Sequence, residues 1–395
     1  MLLIPLLLLG GCNASNDVQS GDGPLSTGTG TGTAGTLAAL ALGVEGYDQA
    51  LPATRLRFPE DHAAHDGFRI EWWYLTANLQ DASGQPYGAQ WTLFRIARQP
   101  PAPTRKDANP WQSAQVYMAH FAITTPDSHH AFQRYARGGS HGGRRRAGAN
   151  ASPFAVWLDD WELSSTTDAA GASAKLDANT SWLPLQLHAR ERNFGIKLSL
   201  NSDRPLILQG EQGFSRKHVN GAGSHYYSHP YLRAEGEIEV GGEVVPVSGE
   251  AWLDREWSSQ FLQPDQQGWD WFALHLDSGE KLMLFQLRSK PNSGERTPFR
   301  HGVLLSAQGE RRELQPSKLR LTPLEHARVA GRDIPVVWQL DLEELDRSLT
   351  VRALHPDQWM NVDFAYWEGY VNIEGGSAGE RGRGYLEMVG YEFAD

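Results

Sequence analysis

Cysteine is almost missing from this sequence: Cys12 is the single one in 395 residues, so no internal disulfide can frame the fold. Basic charge is short as well. Lys and Arg number 36 against 47 Asp and Glu, a formal net charge of −11, which removes the positive field that a nucleic-acid partner requires. The apolar run at residues 2–9, LLIPLLLL, is too short to span a bilayer as a helix. Helical periodicity sustained over three turns is scarce, with short helical pieces expected only near Ser317 to Arg328. The G-x-S-x-G strings, Gly138 to Gly142 (GGSHG) and Gly375 to Gly379 (GGSAG), lie in glycine-rich stretches without the parallel α/β pattern of a nucleophile elbow, and the glycines of residues 28–35 lack the flanking strand and helix of a phosphate-cradling loop, which argues against serine-hydrolase and nucleotide chemistry. What is abundant is aromatic and glycine: 14 Trp, 12 Tyr, 14 Phe and 41 Gly, within 40% hydrophobic and 21% charged residues. That mixture fits a packed protein of about two domains, with sheets favoured over helix bundles.

The first residues read as a targeting segment. After LLIPLLLL come Gly10, Gly11 and Cys12, and Leu9-Gly10-Gly11-Cys12 resembles the bacterial lipobox, in which Cys12 becomes the lipidated first residue of the mature chain. No Lys or Arg precedes the apolar run, a departure from the usual positive start of such segments. Residues 13–47 are poor in apolar side chains, with GTGTGTAG at Gly28 to Gly35, and are expected to form a flexible tether. The location implied is the bacterial cell envelope, lipid-anchored and facing the periplasm, with the acyl chains doing the anchoring because the chain is acidic.

From Arg57 onward short alternating runs are separated by Gly, Asp, Asn and Pro, the pattern of an antiparallel β protein. Three hairpins stand out: Ile70–Leu79 with Ala89–Ala97, Glu235–Val240 with Glu243–Val247 across Gly241 and Gly242, and Trp269–Leu276 with Lys281–Arg288. Further strands are expected at Val116–Thr124, Phe154–Leu163, Leu183–His188, Phe194–Leu200, Val336–Leu342, Leu349–Leu354 and Tyr366–Ile373. A faint echo pairs Trp73-Tyr74 and Leu93 to Ile96 with Trp271-Phe272 and Leu284 to Leu287, suggesting two copies of one module. A boundary near residue 235 gives modules 57–235 and 236–395, each large enough for an antiparallel barrel. Arg137 to Gly148, with Arg144, Arg145 and Arg146, reads as a solvated loop, a headgroup contact being the lesser alternative.

Candidate chemistry is concentrated in a few places. His62 and His65, beside Asp61 and Asp66, form no recognised metal set and read better as polar residues anchoring the segment that leads into the first barrel. No metal and no cofactor is expected. In Ser224 to Ser228, SHYYS, an extended chain puts His225 and Tyr227 on one face; in Trp252 to Trp257, WLDREW, it puts Trp252, Asp254 and Glu256 together. An aspartate walled by aromatic rings loses solvation and holds its proton, as a general acid must. The structural alternative is an ion pair between Arg255 and Glu256, with Asp254 accepting backbone hydrogen bonds. Trp72, Trp73 and Tyr74, with Trp269 and Trp271, are candidates for lining a ligand pocket or for packing between modules, adjacent residues facing opposite ways.

Taken in order, Phe58 to His62, Glu71 to Tyr74, Gly249 to Ser259 (GEAWLDREWSS), Gly268 to Ala273 (GWDWFA), Tyr366 to Gly369 (YWEG) and Gly384 to Glu387 (GYLE) resemble the AttH/carotenoid 1,2-hydratase-like family. The resemblance implies two packed lipocalin-like antiparallel β-barrels, an all-β fold, and exported bacterial proteins sometimes described as predicted secreted hydrolases. Hydratases of that family add water across a terminal trisubstituted double bond of an acyclic polyene. Their proposed His-x-aromatic and aromatic-x-Asp pairs match His225 and Tyr227, then Trp252 and Asp254. Two departures stand out: the family leads one to expect Trp at Tyr227 and Tyr at Trp252. The function implied is binding of a long hydrophobic ligand (polyene, terpenoid or fatty-acyl), with cofactor-free hydration by Asp254. A non-catalytic lipid carrier or an accessory component of an export system is the rival reading. An ester hydrolase is a weaker one, since no parallel α/β pattern surrounds a candidate serine nucleophile.

Overall fold

The computed structural model describes residues 44–101, 113–141, 144–166, 182–260, 262–291, 297–376, 379–391 and 393. Cys12, the lipobox and the tether up to residue 43 lie outside the described residues. Two curled antiparallel sheets, each a barrel or half-barrel, make up the body. The first has fourteen strands between Ile70 and Ser258, the second ten between Gln266 and Val389.

All three expected hairpins form. Ile70–Gln80 pairs with Pro86–Ala97, Gln266–Leu276 with Lys281–Ser289, and Gly223–Val240 with Glu243–Ser258. The last turn is built by Gly241 and Gly242, both at positive φ, where a side chain would strain the backbone. This hairpin also corrects the boundary expected at 235: that position lies inside the strand Gly223–Val240. The chain instead changes sheet between Ser258 and Gln266. A glycine pair marks a tight turn, and nothing in it distinguishes a turn within one sheet from a passage between two.

Other expectations need smaller corrections. Phe154–Leu163 is two strands, Phe154–Leu158 and Trp161–Ser165, turning at Asp159, which has positive φ. Ser317 to Arg328 is a single 3-10 turn, Pro316–Lys318, followed by the strand Leu319–Val329. The arginine-rich stretch lies mostly in a hairpin, Gly139–His141 with Arg144–Ala151. There Arg145 pairs with Glu162 and lies 4.2 Å over the Trp157 ring, while Arg146 pairs with Asp159 at 2.9 Å.

Burial along Ile70–Gln80 shows how the barrels meet. Trp73, Leu75, Ala77 and Leu79 point into the first barrel's core, yet Tyr74, Thr76 and Asn78 on the other face are buried too. A lone barrel would leave that outer face in water; here the second barrel covers it. The covered face joins Tyr74, Tyr226 and Trp252 of the first barrel to Trp271, Met283 and Phe285 of the second in one apolar cluster. Polar pins cross the same interface: Asn78 Nδ2 donates to Gly384 O at 2.9 Å, and Tyr231 Oη to Ser306 O at 2.8 Å. The sequence echo is out of phase with these faces. Trp73 points inward and Trp271 toward the interface, so Tyr74, in edge contact with Trp271 at 5.3 Å, is its counterpart by facing.

Candidate functional site

Between the barrels the outer faces diverge around a cavity whose empty space, its open mouth included, is about 880 Å³. The first barrel contributes Trp72, Tyr74, Phe94, Tyr226, Asp254 and Glu256 to its wall; the second contributes Trp269, Trp271, Phe285, Tyr366 and Glu387. The surface is that of an apolar ligand pocket with a few converging polar groups. It lies outside both barrel lumens.

Asp254 sits in the wall at 3% exposure. Trp252 Nε1 donates to its Oδ1 at 2.8 Å, Ser228 Oγ donates to the same oxygen, and Tyr226 Oη donates to Oδ2 at 2.8 Å. The direction of the serine bond is set one step back, because Gln209 Nε2 donates to Ser228 Oγ at 2.8 Å and leaves the hydroxyl proton for Asp254. With two donors on Oδ1 and one on Oδ2, Oδ2 is the oxygen better able to carry a proton. Burial dominates the energetics, raising the carboxyl pKa to about 7, against the donors Ser228, Trp252 and Tyr226 and with added repulsion from Glu256. The result is an acid that is substantially protonated near neutrality, yet whose conjugate base is met by three prepositioned donors. Removing one donor should raise this pKa further: Tyr226→Phe is expected to move the Asp254 titration up by about one unit, read by carbon-13 NMR of labelled aspartate carboxyls.

Glu256, two residues on along the same face, is 2.8 Å from Lys217 Nζ and accepts a bond from Ser224 Oγ. The anticipated Arg255–Glu256 pair does not form. Arg255 points to the opposite face, where it pairs with Glu71.

The structure divides the expected catalytic quartet. Trp252 and Asp254 stay together, with Trp252 packed among the interface aromatics behind the carboxyl. His225 and Tyr227 project the other way, into the first barrel. His225 packs against Phe68, Phe214 and Trp257, and burial lowers its pKa to about 4. Tyr227 Oη is hydrogen-bonded to His62 Nδ1 at 2.7 Å. The cause is register: Ser228 lies opposite Asp254 and Tyr226 opposite Glu256, so the residue between the two expected ones faces the cavity. Of the expected pocket residues, Trp72, Tyr74, Glu256, Trp269 and Trp271 line the wall. Trp73 does not. Its Nε1 donates to His62 O at 2.9 Å inside the barrel, and the Arg255 guanidinium lies 4.0 Å over its ring.

The leading segment docks as anticipated. His65 bridges Asp61 and Glu71 at 3.1 Å each and stacks on Trp257, while His62 stacks on Trp182. Among the described residues no group of three His, Cys, Asp or Glu side chains has the geometry to hold a metal ion. Sequence reasoning missed Tyr226, Ser228, Lys217, Tyr366, Glu368 and Glu387. Two of these carried a signal, since Glu368 stands in YWEG and Glu387 in GYLE, where a carboxylate within an aromatic strand is out of place unless it faces a site.

Two curled sheets joined face to face around an acid-bearing aromatic cavity define a two-domain, lipocalin-like β protein. The chain belongs to the AttH-like family, which it matches over residues 49–391. It is similar to an AttH protein of Nitrosomonas europaea, known from a crystal structure, at 33% identity, with 87% of this chain and 100% of that one covered and a TM-score of 0.72. Kievitone hydratase from Nectria haematococca shares the fold at 16% identity, covering 87% of this chain and 96% of its own with a TM-score of 0.60. No curated protein matches the sequence.

Proposed function

We propose that the protein binds a long apolar molecule in the cavity between its barrels and hydrates a carbon–carbon double bond by acid catalysis. The observation that carries this is Asp254: a carboxyl buried in an aromatic wall, with a pKa of about 7 and three donors waiting for its anion. Proton transfer from Asp254 Oδ2 to an alkene carbon leaves a tertiary cation on its neighbour. The faces of Trp72, Trp271 and Tyr226 along the wall stabilise that charge. Water then closes the reaction. The hydratase among the structural neighbours supports the reaction class, though by fold alone.

The envelope location belongs to the same proposal. A lipidated Cys12 followed by the tether at residues 13–47 would hold the cavity beside a membrane, where apolar substrates are dissolved.

Mass spectrometry of small molecules retained by residues 44–395 tests the reading. The wild type is expected to carry an alcohol one water heavier than the alkene retained by Asp254→Asn. The same unmodified lipid on both proteins would show a carrier and remove Asp254 from any chemistry.

A further inference from the structure

The cavity has a second acidic wall. Glu387, in Gly382–Val389 of the second barrel, lines it and accepts a hydrogen bond from Trp269 Nε1 at 2.7 Å. Burial raises its pKa to about 7, the Trp269 bond opposes that rise, and repulsion from Asp254 and Glu256 adds to it. Directly across the strand pair stands Glu368, fully buried, with neither carboxyl oxygen in a hydrogen bond of good geometry. Its pKa is pushed well above the usual range by burial and by Glu387, with the Tyr74 and Tyr366 hydroxyls acting in opposition. The Tyr74 hydroxyl, on a residue 5% exposed that itself lines the cavity, is turned toward Glu368 without closing a well-formed hydrogen bond. Buried polar atoms are seldom left in this condition without a ligand or a catalytic duty.

We propose that Glu387 is the second catalytic residue of the site, the base that works across the ligand from the acid Asp254. This rests on the hydration reading above. The O–H bond of Asp254 breaks as a C–H bond forms at one alkene carbon; the π pair is consumed and the other carbon becomes cationic. A water lone pair forms the C–O bond, and its surplus proton passes to the Glu387 carboxylate. Return of that proton through solvent to Asp254 restores the starting state, so alkene and water alone are consumed. The division of labour follows from the donors: three converge on the Asp254 anion that proton transfer creates, whereas Glu387 has one. Glu368, behind Glu387, is a positioning residue.

The groups facing Glu387 are Asp254 and Glu256 from Glu243–Ser258, Lys217, Tyr74 from Ile70–Gln80, and Tyr366 and Glu368 from Tyr366–Gly376. Two probes separate their effects: dodecyldimethylamine, whose ammonium mimics the tertiary cation, and neutral dodecanol. Binding is followed by tryptophan fluorescence from about pH 5 to 8.5, a span that brackets the expected pKa of a working acid–base pair. Wild type and Asp254→Asn are expected to bind the ammonium more tightly as pH rises. In the Asp254→Asn background, where the Asp254 carboxyl no longer titrates, Glu387→Gln is expected to lose that rise and to bind the ammonium at least about 10-fold more weakly at the upper end, with dodecanol affinity held within roughly twofold. Unchanged ammonium binding when Glu387→Gln is added to Asp254→Asn, with dodecanol still bound, overturns the role of Glu387 and leaves the hydration reading standing. Failure of the wild type to bind dodecanol sinks that reading, and this inference with it. Should that variant fold poorly, Trp269→Phe in the Asp254→Asn background decides the matter: it removes the donor to Glu387, so the midpoint of ammonium binding must move up by about one unit. An unmoved midpoint rejects the assignment.

Discussion

Asp254→Asn is expected to lower turnover by about 10²–10⁴-fold, the span ordinarily lost with a general acid, while leaving ligand retention intact. The substitution suits the site. A neutral side-chain amide keeps an acceptor oxygen for Trp252 and Ser228 and replaces the protonated oxygen by an NH₂ group beside Tyr226. Geometry therefore survives and only the transferable proton is lost. In the wild type the rate should fall as pH rises through about 7, where Asp254 gives up its proton. Stability has a definite sign as well. The folded pKa lies above the ordinary aspartate value of 3.8, so between these pH values the folded chain holds more protons than the unfolded one. This contribution is fully present below about pH 4 and is lost as pH rises to about 7. Asp254→Asn should thus be as stable as the wild type below about pH 4 and more stable at pH 8, measured by urea denaturation at both. Equal destabilisation at both pH values would mean that the carboxyl is structural.

Glu71→Ala is expected to cost about 3–5 kcal/mol, the penalty for stranding buried partners of a broken ion pair. Glu71, Arg95 and Arg255 all have fully buried side chains, on three adjacent strands. Burial alone would raise the Glu71 pKa, but Arg255 and Arg95 hold it far below the usual carboxylate range. Around this centre the His65 backbone N–H donates to Glu71 Oε1 at 2.9 Å, Arg95 reaches His65 O and Phe68 O, and Arg255 reaches Ala63 O. Loss of Glu71 therefore leaves two guanidiniums without their shared anion and loosens the segment at Ala63 to Phe68. A drop in the urea midpoint at unchanged slope would report it; a change below about 1 kcal/mol, the range of an exposed pair, would refute the placement.

The strands were legible because alternation, glycine turns and aromatic runs report local backbone preference, as in the hairpin of Trp269–Leu276 with Lys281–Arg288. The pairing of Trp252 with Asp254 was legible for the same reason, since alternation places i and i+2 on one face. What alternation withholds is which face meets the ligand. His225 and Tyr227 share a face, but cross-strand register assigns it to the barrel core and gives Tyr226 to the cavity. Register depends on strands far apart in sequence, and the wall that completes the cavity arrives from residues 266–387. The motifs containing Glu368 and Glu387 were visible; their convergence on Asp254 required the second barrel to dock.

That docking has a thermodynamic consequence. Neither barrel owns the cavity, since each supplies one wall, the first with Asp254 and Glu256 and the second with Glu387. A ligand held there contacts both halves at once and adds its binding free energy to their association. Occupancy should therefore register as cooperativity, with the two halves unfolding as one unit when the cavity is filled and separating more readily when it is empty.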